Sequence, residues 1–83
     1  SAASAGCVFK NPAPGISAGK LLDEAGFKGK RRGDMMFSDL HANFLINVGN
    51  GSGAQAMELL SEAIQAVHDK FGYKLEYEVK VLP

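Results

Sequence analysis

Two side chains in this chain of 83 residues could do acid–base chemistry together. Cys7 can release a proton and Glu78 can hold or stabilise charge, so a β pairing that drew the two ends of the chain together would assemble a site from them. Cys7 lies in the short apolar run Ala5-Gly6-Cys7-Val8-Phe9-Lys10-Asn11-Pro12, with small residues before it and a polar exit behind. Each residue also has an ordinary explanation when taken singly. A lone cysteine is most often a small buried hydrophobe, and Glu76 with Glu78 fits the solvated side of an edge strand. Metal chemistry finds no support, because His41 and His68 show no ligand spacing with each other or with the single cysteine. His41 reads as a structural residue at a turn and His68 as a solvated position on a helix. No nucleophile elbow is present. On residue chemistry alone the chain is a soluble α+β domain.

Size and composition narrow the field. A chain this short supports one domain with one core, and 46% hydrophobic with 22% charged residues is the balance of an ordered globular protein. A formal net charge of zero removes any general attraction to nucleic acid or to an anionic membrane. One cysteine forms no internal disulfide, so an oxidising compartment is not required. No apolar run approaches the ~20 residues of a membrane span, and the start lacks a secretory pattern. A cytoplasmic location is the expectation. Residues 1–4 read as a loose or added end, and residues 5–83 as a single domain.

The elements that must position Cys7 and Glu78 follow from periodicity. Cys7 to Phe9 suit a short strand, stopped by Pro12 and Pro14 and turned at Gly15. Ser17 is a candidate N-cap for a helix with Ala18, Leu21, Leu22 and Ala25 on one face, ending at Gly26. Phe27 to Asp34 is basic and glycine-punctuated, which predicts a solvated connection. Met35 to Phe37 predict a buried strand, Ser38 to His41 a turn, and Asn43 to Val48 a second strand. A longer helix follows, with Met57, Leu60, Ile64, Val67 and Phe71 as its apolar stripe and Glu58, Glu62, Gln65 and Asp69 on its wet side. Lys70 suits the last turn and Gly72 the end. From Lys74 to Val81 polar and apolar residues alternate as in a strand with one buried face. The order βαββαβ predicts an α+β fold, a mostly antiparallel sheet with both helices on one face.

Two stretches invite other readings. Gly49-Asn50-Gly51-Ser52-Gly53 resembles a phosphate cradle, but it lacks the Lys-Ser/Thr ending of a P-loop, and Ser52 with Gln55 fits a capping box better. The basic Gly26–Arg32 loop opens with the G-x-x-G pattern of RNA-binding KH domains. In those folds the pattern joins two helices, whereas here it falls between a helix and a strand. A free-standing RNA-binding or interaction module is the alternative function it would support.

Read in order, the motifs resemble the C-terminal domain of UDP-N-acetylenolpyruvoylglucosamine reductase, the MurB family. The likeness rests on the Cys7 run, on Ala18-Gly19-Lys20-Leu21-Leu22 with Ala25-Gly26-Phe27-Lys28-Gly29, on His41-Ala42-Asn43-Phe44, and on Leu75-Glu76-Tyr77-Glu78-Val79-Lys80. It implies one domain of an FAD- and NADPH-dependent oxidoreductase of peptidoglycan synthesis, acting on UDP-N-acetylglucosamine enolpyruvate. The flavin would be held by an N-terminal domain that this sequence lacks, so the isolated piece would bind no cofactor and would be inactive. The resemblance makes Cys7 the proton donor at a position where the family usually has serine, and a thiol is a far stronger acid than an alcohol. It makes Glu78, the carboxylate directly before Val79-Lys80, the second catalytic residue, with Glu76 exchangeable for it by a register change. Asn11 and Lys10 become substrate contacts, Lys10 toward the diphosphate. Lys28, Lys30 and Arg31 either border that diphosphate or face solvent. Neither nucleic acid nor membrane is an implied partner.

Overall fold

The computed structural model describes residues 7–78. The end assigned to residues 1–4, the Ala5-Gly6 approach to Cys7 and the continuation of the last strand through Val79, Lys80 and Val81 lie outside the described residues. Helix α1 (Ala18–Glu24) starts where expected: the Ser17 hydroxyl accepts the Lys20 N–H and satisfies one of the donors a helix start leaves open. It buries Ala18, Leu21 and Leu22, and the chain leaves it through Gly26 at φ 88°, a left-handed conformation that glycine adopts without steric cost. Helix α2 (Gly53–Phe71) opens with a complete Ser52–Gln55 capping box and closes at Gly72, also left-handed.

The inner face of α2 differs from the expected stripe. Leu59, Leu60, Ala63 and Val67 are its buried residues, whereas Met57 is 53% exposed. Residues 59, 63 and 67 form a row at steps of four that lies on the sheet, and Met57 falls outside that row. The sheet has three named strands, β1 (Arg31–Arg32), β2 (Met35–Phe37) and β3 (Leu45–Asn47), in antiparallel order β1-β2-β3. Phe37, fully buried, pairs with Leu45 on the core side, and the Phe27 ring meets it edge-on at 5.9 Å. Helix α2 packs on β1 and β2, and α1 packs on α2. Lys70 joins the helices a second time, donating to the Glu24 carbonyl at 3.0 Å.

The predicted α+β architecture stands, with two adjustments. The Phe27–Asp34 segment is not simply a solvated connection: Phe27 is core, and Arg31 and Arg32 form an edge strand whose cations find carboxylates. Lys30 and Arg32 both reach Glu62 on α2, and Arg31 reaches Asp34. Charged side chains on a two-residue edge suit a strand with one open side. Second, among the described residues the first and last predicted strands pair through the bridges Cys7 with Phe44 and Phe9 with Tyr77.

The glycine-rich turn before α2 is a cap. The N–H groups of Gly49 and Gly51 both donate to Asn47 Oδ1 at 3.0 Å, Asn50 N–H donates to Asp34 Oδ2 at 2.9 Å, and Ser52 N–H donates to Gln55 Oε1 at 3.0 Å. An anion would find these donors already engaged. The Asn50 N–H, then the Arg31 guanidinium beside it, hold the Asp34 carboxyl below its ordinary value.

Two outcomes follow for stability. Leu59→Ala, at a fully buried position, should lower the unfolding free energy by about 2–5 kcal/mol, whereas Glu62→Ala, which opens a half-exposed ion cluster, should cost about 1 kcal/mol or less; urea titration of both variants measures the contrast. Because the Asp34 carboxylate is favoured in the folded state, its contribution is complete above the unfolded-state value and disappears as pH falls through the lower folded value. Asp34→Asn should therefore flatten the acid limb of stability against pH. An acid limb identical to that of the parent would refute this role for Asp34.

Candidate functional site

Cys7 is placed by hydrogen bonds on both flanks of its segment. On one side Cys7 bridges Phe44, and Val8 N–H donates to the Asn43 carbonyl at 2.8 Å. On the other, Lys10 N–H donates to the Glu76 carbonyl at 2.8 Å and Glu78 N–H donates to the Val8 carbonyl at 2.9 Å. Phe9 lies between them, 1% exposed, with its ring stacked on Tyr77 at 5.5 Å. The early and late segments of the chain are thus neighbours, although they are far apart in sequence. Asn43 completes the frame. Its Oδ1 accepts the Phe9 N–H at 3.0 Å and its Nδ2 donates to the Phe9 carbonyl at 2.9 Å, so a buried carboxamide takes the place of a strand partner.

The Cys7 thiol is exposed. It lies on the wall of an open hollow of about 480 Å³ whose polar lining includes Asn11, Lys20, Asp23, Lys28, His41 and Asn43. Lys20, Asp23 and Lys28 enter no ion pair among the described residues, so the hollow shared with the Cys7 thiol carries two cationic groups and one carboxylate. Such a lining suits an anionic, hydrogen-bonding ligand better than an apolar one.

The four expected site residues are distributed unevenly. Cys7 and Asn11 share the hollow. The Asn11 carboxamide oxygen also accepts the Ala18 N–H at 3.0 Å, which ties the Lys10-Asn11 turn to the start of α1 and gives Asn11 a structural task. Lys10 lines a second notch with Tyr73, Lys74 and Glu76, and Asn11 borders both. Glu78 is exposed and joined to the Cys7 segment through its backbone. With Phe9 opposite Tyr77, it falls opposite Val8 rather than Cys7. The structure brings the two backbones together and does not place both side chains in one hollow.

Sequence reasoning missed Lys20, which sits on the polar side of α1 and shows its proximity to Cys7 only in the fold. It read His41 as structural. The His41 ring does rest against Phe44 at 5.3 Å, and the same residue also lines the hollow. The basic loop, by contrast, loses its appeal as an RNA surface: Lys30, Arg31 and Arg32 are paired with Glu62 and Asp34. Lys30 also covers the Phe27 ring at 4.6 Å, and the loop joins α1 to β1 instead of joining two helices.

Comparison with known proteins agrees with this geometry. A family model described as UDP-N-acetylenolpyruvoylglucosamine reductase, C-terminal domain, matches residues 1–82. The UDP-N-acetylenolpyruvoylglucosamine reductase of Oleidesulfovibrio alaskensis is 58% identical over 80 residues, which is 96% of this chain and 27% of that protein. The enzyme of the same name from Nitratidesulfovibrio vulgaris is 57% identical over 98% of this chain and 27% of its own length. The crystal structure of UDP-N-acetylenolpyruvylglucosamine reductase (MurB) from Thermus caldophilus superimposes with a TM-score of 0.71 at 47% identity, over 90% of this chain and 26% of that one. The chain therefore spans about a quarter of the length of these relatives, and it belongs to the UDP-N-acetylenolpyruvoylglucosamine reductase C-terminal domain family.

Proposed function

We propose that residues 5–83 are the substrate-binding and proton-donating domain of a cytoplasmic reductase that converts UDP-N-acetylglucosamine enolpyruvate to UDP-N-acetylmuramate in peptidoglycan synthesis. The observation that carries the reading is the exposed Cys7 thiol on the wall of a cation-lined hollow, in a segment hydrogen-bonded to the Glu78 backbone. No helix among the described residues is long and apolar enough to cross a membrane.

The glycine-rich turn engages its N–H groups internally and so offers no anion cradle of its own. In this reading FAD and NADPH would be held by another domain of the enzyme and would supply the hydride for C3 of the enolpyruvyl group. This domain's residues act on the electron pair that hydride addition leaves at C2. Cys7 Sγ–H gives its proton to C2, forming the C–H bond, and the thiolate is reprotonated from solvent before the next turnover. Glu78, on the neighbouring segment, assists as charge develops at the enolic centre. Asn11, through its Nδ2, and Lys10 hold the polar groups of the nucleotide sugar. The isolated domain lacks the hydride source and is inactive.

In a full-length enzyme carrying this domain, Cys7→Ala should leave flavin reduction by NADPH at its normal rate. Reoxidation of the reduced flavin by the enolpyruvyl substrate should slow by about 10²–10⁴-fold, the usual contribution of a positioned general acid. Cys7→Ser should recover part of that loss. Stopped-flow absorbance of the flavin separates the two half-reactions, and equal slowing of both would remove Cys7 from the acid role.

A further inference from the structure

We infer that Asn43 is the positioning residue for the Cys7 proton donor. The inference rests on the reading of Cys7 as that donor and names what holds it. Asn43 is 8% exposed, the one buried polar side chain among the described residues. All of its main interactions are directed at the segment that carries the thiol. Its carboxamide accepts from Phe9 N–H at 3.0 Å and donates to the Phe9 carbonyl at 2.9 Å, and its own carbonyl accepts from Val8 N–H at 2.8 Å.

Among the described residues the Cys7–Phe44 bridge is the one backbone pairing on this edge of the segment besides the Asn43 contacts, so the Asn43 contacts determine where residues 8 and 9 run and hence where Cys7 Sγ stands. Helix α1 runs close behind Asn43: a Cβ added at Gly19 would lie 3.6 Å from Asn43 Cβ. It also lines the hollow into which the thiol opens. A displacement of about 1 Å in a reacting group costs on the order of a hundredfold in rate. Loss of the two carboxamide bonds allows a shift of that size.

The test uses the full-length enzyme and follows both half-reactions. In Asn43→Ala the reoxidation of reduced flavin by the enolpyruvyl substrate should fall by about a hundredfold, while reduction by NADPH keeps the parental rate. Asn43→Asp supplies a second readout, and carries the test if the alanine variant does not fold. Ionised, the introduced carboxylate faces the Phe9 carbonyl and repels it; protonated, the carboxyl again accepts from Phe9 N–H and donates to Phe9 C=O. Burial favours the protonated form, so the ratio of the Asn43→Asp reoxidation rate to the parental rate should rise as pH falls. Cys7, Lys20, Asp23, Lys28 and His41 face the same hollow, so the parental pH profile is measured alongside and the ratio is taken at each pH.

Parental reoxidation rates in Asn43→Ala, or a pH-independent ratio in Asn43→Asp, would overturn the assignment, as would equal slowing of both half-reactions, which marks a purely structural residue. Cys7→Ala measured alongside separates this inference from the reading beneath it. A parental rate in Cys7→Ala defeats the proton-donor reading, whereas loss in Cys7→Ala with none at Asn43 defeats only the positioning role.

Discussion

The reciprocal pair of hydrogen bonds between the Asn43 carboxamide and the Phe9 backbone is the contact on which the rest of the structure depends. The segment from Cys7 to Lys10 has a named strand on neither side, yet Phe9 in its middle is in the core. A buried N–H and C=O left without partners would each cost about 1–3 kcal/mol. A primary amide presents an acceptor and a donor at nearly the spacing of a peptide group, so one side chain satisfies both. That arrangement lets the chain bring the exposed thiol of Cys7 to the surface close to a buried phenylalanine. Rigidity at Phe9 and accessibility at Cys7 thus have a common origin.

Charge is arranged to the same end. The basic run Lys28 to Arg32 could have spread its field over the surface, but Glu62 takes Lys30 and Arg32 while Asp34 takes Arg31. Asp34 also anchors the turn before α2 through the Asn50 N–H. Unneutralised cations then remain beside Cys7, at Lys20 and Lys28. Exposed ion pairs add little stability, so the main effect of this pairing is to take Lys30, Arg31 and Arg32 out of the free positive surface. Lys20 and Lys28, unpaired among the described residues, stay at the hollow beside Asp23. A chain with zero formal charge can in this way still present a site suited to an anionic ligand.

Much of this was legible in the sequence, for reasons that differ by element. The helix boundaries were readable because caps are local: Ser17, Gly26, Ser52, Gln55 and Gly72 act within a turn of their own position. Alternation in the last segment and the short apolar run in the first marked both as strands, but that Phe9 pairs with Tyr77 is seen only in the fold. The inner row of α2 was misread at Met57 because periodicity gives the width of a stripe but not where a neighbouring sheet will touch it. The edge strand Arg31–Arg32 was hidden by its own charge, since the carboxylate that takes Arg32 is Glu62, far along the chain on α2. Lys20 and Asn43 were invisible as site residues for the same reason: the partners that give them meaning are remote in sequence and adjacent only in the fold.

The openness of the hollow bears on how such a domain can work. Protonation of an electron-rich carbon by a thiol gains when water is excluded, because an exposed enolic centre can take its proton from solvent without help. Here Cys7 is exposed, the hollow is unroofed, and Leu40 on its rim is 78% exposed, an apolar side chain with nothing described above it. The relatives that share this domain are about four times as long. A wall that carries a thiol, two lysines and a carboxylate, with an exposed apolar side chain on its rim, suits one half of a larger site. Under the function proposed above, a further lobe carrying the hydride source would cover this rim and remove the water that would otherwise compete with Cys7.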